Sequence, residues 1–412
     1  MSLLAAAPSV RAEDPAGAPP KTLDETAEAG EADALEPPKP TKWNEYDGSV
    51  STFRFGFGFL LDFATYGQDA ESKEQVTLQQ DMGVRDFRLL FKGKFKTDRP
   101  MTWTLGYMYD AADGEWRFRQ TGIQIGFPKA RGNLFIGRTK EGYSMVKVMV
   151  GYHGWTMERS PSEDAFVPIL ADGLKWMGYF PKSKMFFSFG VFGDELSESE
   201  KFSTYDHQIV TRVGWRPILS EENRQVLHFA VMARDGKPDE NSIQVRSRPE
   251  ANLAPYFLDT GKFAADHATT TGIEAYYRKG PWLVGGEYNW LQVDALSGEK
   301  PTFHGGDVVA TWIITGETRA YNEAGGYFTA VSPERPAFQG GLGAFEAVLH
   351  FSYADFDSGT FQGGKLWRIT PMLNWHLSDN LRFEVGYGYS QLDRFDLQGH
   401  TQFFQARLQI TL

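Results

Sequence analysis

The residues most able to do chemistry in this sequence are bases that alternate with aromatic and aliphatic side chains. Arg54 stands between Phe53 and Phe55, Arg88 between Phe87 and Leu89, and Arg382 between Leu381 and Phe383. If each such run is a strand, its side chains alternate between two faces. The phase opposite the aromatics then carries Arg54, Arg88, Lys92, Lys94, Lys96, Arg212, Arg216, Arg234, Arg278, Arg368, Arg382 and Arg407. The acids on that phase are Asp62, Asp86, Asp110, Glu274, Glu287, Glu346 and Glu384. Twelve bases against seven acids make a basic face within a protein whose formal net charge is −11. Lining a passage, such a face would lower the energy of admitting anions and repel cations. Its plainer use would be to brace the wall through pairs with those acids.

Enzymatic constellations are missing. No Ser-His-Asp spacing, HExxH, EF-hand loop or Walker motif is present, so no enzyme, cofactor or metal site is expected. Nothing points to nucleic acid as a partner, and Gly56-x-Gly58 reads as the small phase of a strand. The chain has no cysteine, which suits passage through an oxidising compartment.

The elements that would position these bases follow from the same alternation. Phe53, Phe55, Phe57, Phe59, Leu61 and Phe63 occupy every odd position of one run. Period two over that length is a strand with one apolar face, long enough for a tilted membrane crossing of about ten residues. The pattern recurs to the C-terminus, ending in Leu381–Tyr389 and Phe404–Leu412. Aromatics make up 15% of the chain while mean hydropathy is −0.40, a combination that fits lipid outside and water inside. No window of eighteen apolar residues exists, which excludes a transmembrane helix and leaves a barrel open.

Seventeen candidate strands occur, and an even number is required of a bacterial barrel. Assigning residues 240–248 to an outer loop leaves sixteen, starting near 51, 84, 101, 115, 132, 173, 184, 207, 224, 268, 282, 303, 343, 366, 380 and 402. The expected fold is therefore an all-β, transmembrane antiparallel barrel of about 16 strands. Even-numbered connections are mostly short and odd-numbered ones longer, notably 140–172 and 235–267. Residues 316–342 are long where this parity demands a short turn, and the pattern alone does not explain them. The 140–172 connection is expected to fold inward as a constriction loop, carrying Lys140, Glu141, Lys147, His153, Glu158 and Arg159.

Residues 1–12 resemble the remnant of a signal peptide, and 13–50 read as a disordered, acidic, Pro-rich periplasmic segment ahead of a barrel spanning 51–412. Residues 1–50 hold ten acids and four bases, so they carry more than half of the net charge of −11.

Several stretches resemble the phosphate-selective porin O/P family. GNLFIGRTKEGYS (132–144) is similar to its strand leading into the constriction loop, with Gly142 and Tyr143 where Pro and Phe are usual. TMERSPSEDAFVP (156–168), GGDVVATWIITGETRAYN (305–322), GAFEAVLHFSYADFD (343–357) and NWHLSDNLRFEVGYGY (374–389) extend the likeness from about residue 84 to the end. The resemblance implies a sixteen-stranded porin in a Gram-negative outer membrane, usually a homotrimer embedded in lipid, in which small anions pass a basic constriction. It also places 316–342 after the family's strand-twelve motif. Leu412 departs from the usual terminal Phe or Trp.

The expected function is passive diffusion of small anions, phosphate-type oxyanions favoured, past Arg88, Lys92, Lys94, Arg138, Lys140 and Arg159. Arg138 belongs there only if its strand bends, since its phase is that of Leu134 and Ile136. The alternatives are a weakly selective general porin and a plugged structural or surface-binding barrel.

Overall fold

The computed structural model describes residues 43–110, 114–194, 205–222 and 224–412. The proposed signal remnant and most of the Pro-rich segment lie outside the described residues. The last part of that segment is ordered: Glu45–Asp47 pairs antiparallel with Thr52–Arg54.

Sixteen strands form the wall: β1 Thr52–Gln68, β2 Asp81–Lys94, β3 Met101–Asp110, β4 Glu115–Phe127, β5 Gly132–Thr139, β6 Ala171–Phe180, β7 Met185–Gly193 and β8 Tyr205–Ser220. They continue as β9 Gln225–Pro238, β10 Leu258–Lys279, β11 Trp282–Ala295, β12 Thr302–Ile313, β13 Ala344–Ser358, β14 Phe361–His376, β15 Leu381–Arg394 and β16 Leu397–Thr411. Each pairs antiparallel with the next, and β16 returns to β1 with Phe59 opposite Ile410 and Asp62 opposite Arg407. Closure removes every free edge, so the wall's backbone groups are paired without water, as a lipid environment requires.

The expected alternation holds. In β1 the odd aromatics stay partly exposed, whereas Gly56, Gly58, Leu60, Asp62 and Ala64 are buried. Leu174, Val231, Ile273 and Val308 are at least half exposed on the outer surface. In water that surface would drive aggregation; in lipid it is the solvated state. Aromatic pairs gather near the strand ends, such as Trp282 stacked on Trp312 at 4.9 Å and Tyr107 on Trp116 at 5.0 Å, as an interfacial girdle requires.

The wall is uneven in height. β5 has 8 residues, whereas β10 has 22 and carries the short strand Ser242–Ser247 on its outer extension. Residues 240–248 are thus partly a strand, but one outside the barrel ring. Outer connections are also less uniformly long than expected, because β13 to β16 run far outward and meet in tight turns. One of these places Phe395 and Asp396 at φ 59° and 61°, as a two-residue hairpin turn demands.

The main apolar cores lie inside the barrel. Toward the outer end Tyr143, Phe166, Phe257, Phe303, Phe356 and Phe403 pack together; below them Met145, Trp155, Tyr276, Phe328 and Met372 form a second cluster. Both draw on segments that leave the wall and enter the lumen.

Candidate functional site

Residues 140–170, between β5 and β6, turn into the lumen as expected. An irregular buried segment must find partners for its backbone groups, and here the wall supplies them. The carbonyl of Tyr152 accepts from Gln409 (3.0 Å), that of Gly154 from Arg382 (2.7 Å), that of Trp155 from Asn374 (2.9 Å) and that of Met157 from Arg407. At the near limb, the Met145 amide donates to Glu274 (2.7 Å) and the Val146 amide to Glu287 (3.0 Å). Ser144 caps this turn by accepting from Lys147 and donates its hydroxyl to Glu163 at 2.7 Å.

Two more segments enter. Residues 314–343, between β12 and β13, fold up into the barrel from the periplasmic end, which accounts for their length. The carbonyls of Gly325 and Gly326 accept from Arg212 (3.2 and 2.7 Å), that of Glu323 from Arg216, and that of Arg319 from Arg278 (2.7 Å). From the outer side, Pro249 accepts from Arg368 and the Glu250 carbonyl from Gln405. The Glu250 carboxylate lies 3.3 Å from His350, whose other nitrogen lies 3.3 Å from Asp307.

These contacts sort the twelve bases into two groups. Arg212, Arg216, Arg234, Arg278, Arg368, Arg382 and Arg407 each donate to an inward segment, Arg234 through Glu141 at 2.8 Å. They hold the filling of the lumen in place, mostly through backbone carbonyls; of the pairs with lumen acids that the bracing reading expects, these seven form Arg212–Glu274, Arg382–Glu384 and Arg407–Asp62. Arg54, Arg88, Lys92, Lys94 and Lys96 belong to β1, β2 and the turn that follows, and their own side chains stay partly or fully exposed.

Two bases that simple alternation assigns wrongly or passes over join this second group. A bulge opposite Leu60 and Leu61 turns Arg85 inward, and another opposite Gly106 brings Arg119 into line while Trp116 and Phe118 face out. Arg88 and Arg119 share one carboxylate: Arg88 bonds Asp86, and Arg119 stands 3.9 Å from it. The two guanidiniums remain 15% and 12% exposed, against 0 to 2% for Arg212, Arg234 and Arg368. Across from them, the loop limb presents Tyr152, whose ring lies 4.5 Å from the Arg88 guanidinium and whose hydroxyl donates to Asp86 (3.3 Å). Glu158 receives both Arg85 (2.8 Å) and Arg407 (2.5 Å). Burial alone would raise the Glu158 carboxyl, but these two guanidiniums hold it well below the usual carboxylate range. Arg85 and Arg407 thus share Glu158, Arg407 also bonds Asp62, and Arg88 and Arg119 divide Asp86.

Of the six residues expected along the path, Arg88, Lys92 and Lys94 stand on the β2 wall. Arg159 lies on the loop limb facing Arg85 and Arg88; burial and those like charges push it below the usual arginine range, and its Nε donates to the Val146 carbonyl at 2.9 Å. Lys140 closes the loop's base by donating to the carbonyls of Val148 and Met149. Arg138 is drawn off: it pairs with Asp172 directly across the strand (2.8 and 3.1 Å) on the pleat phase of the outward Ile136 and Leu174. It braces the wall there.

Comparison with known proteins agrees with this architecture. The family model for phosphate-selective porin O and P matches residues 53–412. An uncharacterized protein of Caulobacter vibrioides is 31% identical over 157 residues, which span 38% of this chain and 30% of that protein. The anion-selective porin from Comamonas acidovorans superposes with a TM-score of 0.54 at 12% identity, over 88% of this chain and all of that one. The outer membrane channel DcaP of Acinetobacter baumannii gives 0.56 at 10% identity, over 89% and 99%. OmpT of Vibrio cholerae, in its trimer form, gives 0.54 at 10% identity, over 88% and 100%. A closed sixteen-strand barrel of this kind resides in the bacterial outer membrane. The chain belongs to the phosphate-selective porin O and P family.

Proposed function

We propose that the barrel is a passive channel for small anions, phosphate-type oxyanions favoured, and that its path runs along the β1–β4 wall past Arg54, Arg85, Arg88, Lys92 and Arg119. The observation that carries this reading is the shared carboxylate. Two guanidiniums on one Asp86 leave a net positive site that is mostly buried yet touches solvent, so salt screens it less than a surface charge. Arginine forks suit oxyanions, and the partial neutralisation keeps an anion from being trapped. Arg138 and Lys140 act here as supports of the wall and loop. The family and a trimeric structural neighbour support a homotrimer set in outer-membrane lipid. A weakly selective general porin is the second reading, favoured by the many bases already committed to holding loops.

The test is reversal potential across a chloride gradient in planar bilayers. Wild type should prefer anions, added phosphate should lower chloride current, and the double variant Arg88→Gln with Arg119→Gln should lose most of both effects. Cation preference in wild type would overturn the charge argument. Anion preference without phosphate block would leave the general porin.

A further inference from the structure

Arg319 sits where three parts of the molecule meet. It belongs to the segment that rises from the periplasmic end, and it is buried to 1%. Its Nη2 donates to both oxygens of Glu346 on β13, each at 2.8 Å. Its Nη1 donates to the carbonyl of His153 on the constriction loop (2.7 Å) and to that of Thr329 on its own segment (2.9 Å). The guanidinium carbon lies 5.7 Å from the ring centre of Trp155, which packs on Tyr276 at 5.6 Å and Phe328 at 6.4 Å. Glu346 is held in turn by His376 (3.2 Å) and Asn374 (3.3 Å), and Asn374 also bonds the Trp155 carbonyl. One planar fork therefore ties wall, inward loop and periplasmic segment together.

His153 is the neighbour of Tyr152, whose ring and hydroxyl face Arg88 and Asp86. A displacement at His153 is passed to the side of the passage that opposes the basic wall. We infer that Arg319 is a positioning residue for the channel: by seating the far limb of the constriction loop on the periplasmic segment, it sets the width of the path. This inference rests on the channel reading above. Lysine cannot replace the fork, because a point charge cannot meet a carboxylate and two carbonyls in fixed directions.

The experiment compares single-channel conductance and reversal potential of the full chain carrying Arg319→Gln, Arg319→Lys, or Arg335→Gln, an exposed base on the same segment. Correct folding is checked by circular dichroism and resistance to heating in detergent. Arg319→Gln should raise conductance roughly twofold and move the reversal potential toward zero, as the loop limb relaxes from the basic wall. Arg319→Lys should do so to a smaller extent, and Arg335→Gln should match wild type. Should Arg319→Gln fail to fold, Trp155→Phe probes the same junction from the loop side and should give the same direction of change. A folded Arg319 variant with wild-type conductance and selectivity overturns the inference. A wild-type protein that forms no conducting pore overturns the channel reading instead.

Discussion

The two sides of this barrel spend the same kind of residue in opposite ways. From β8 to β16 the lumen arginines are buried, each donating to a carbonyl or carboxylate of an inward segment. On β2 and β4, Arg88 and Arg119 divide one Asp86 and keep contact with water. Fixed charge matched by hydrogen bonds is structural; fixed charge in excess is available to a passing ion. The contrast teaches that a count of lumen bases overstates the charge a permeating anion meets, since most of it is neutralised by backbone dipoles and acids.

The sharpest way to break the comparison is to delete one charge on each side. Arg212 bonds Glu274 at 2.5 and 2.9 Å and two carbonyls of the periplasmic segment, and Glu274 is itself buried beside His228 at 2.8 Å. Arg212→Met strands a buried carboxylate, so it should cost about 3–5 kcal/mol of unfolding free energy. Arg88→Met leaves Asp86 with Arg119 and should cost far less while changing selectivity. Denaturant titration in detergent micelles, read by tryptophan fluorescence, measures both. Equal losses would mean that the two sides do not differ.

How much of this division was legible in the sequence follows from the physics of each signal. The wall was readable because lipid and water alternate across it, so β1 announces itself through Phe53 to Phe63. The alternation marks all sixteen strands and departs furthest from the structure at β10, whose outer extension from Leu258 lacks the membrane pattern. The site was only half readable. A backbone carbonyl leaves no mark in a sequence, so nothing showed that Arg382 or Arg407 would serve the loop at Gly154 and Met157. Bulges hid Arg85 and Arg119, because one inserted residue reverses the phase on which alternation depends. The length of 316–342 was a true signal of the periplasmic inward segment, although pattern alone gave it no direction.

A smaller effect should separate the sides by pH. Lys147, on the inward loop, donates to the Val167 carbonyl at 2.7 Å, and burial pushes it down to about 8 from 10.5, with Arg159 adding to the shift. Below pH 8 it is charged both folded and unfolded, and the cost of burying that charge is present in full. Between 8 and 10.5 the unfolded chain binds more proton than the folded one, so stability rises with pH across that window. Denaturant midpoints should increase from pH 8 to 10.5 in wild type and increase less in Lys147→Met. Identical slopes would show that Lys147 does not titrate in this window.

The least effect belongs to the periplasmic mouth. Lys96 pairs with Asp47 at 2.8 Å with both side chains largely exposed, and Lys94 is exposed one turn of the pleat away. An exposed pair of this kind contributes within about 1 kcal/mol, because water solvates both charges and the long side chain loses freedom on pairing. Lys94→Gln with Lys96→Gln should therefore leave the denaturant midpoint unchanged. Its influence on anions acts through space, in solution, and so depends on the screening length. At about 0.01 M salt that length is roughly 30 Å and covers the mouth, whereas at about 1 M it is roughly 3 Å. The double variant should lower anion current at the first ionic strength and match wild type at the second. Arg88→Gln with Arg119→Gln should reduce selectivity at both, because those guanidiniums are mostly buried on the proposed path, where salt screens them less. A mouth variant whose effect survives high salt would place Lys94 and Lys96 inside the constriction and erase the distinction between mouth and wall.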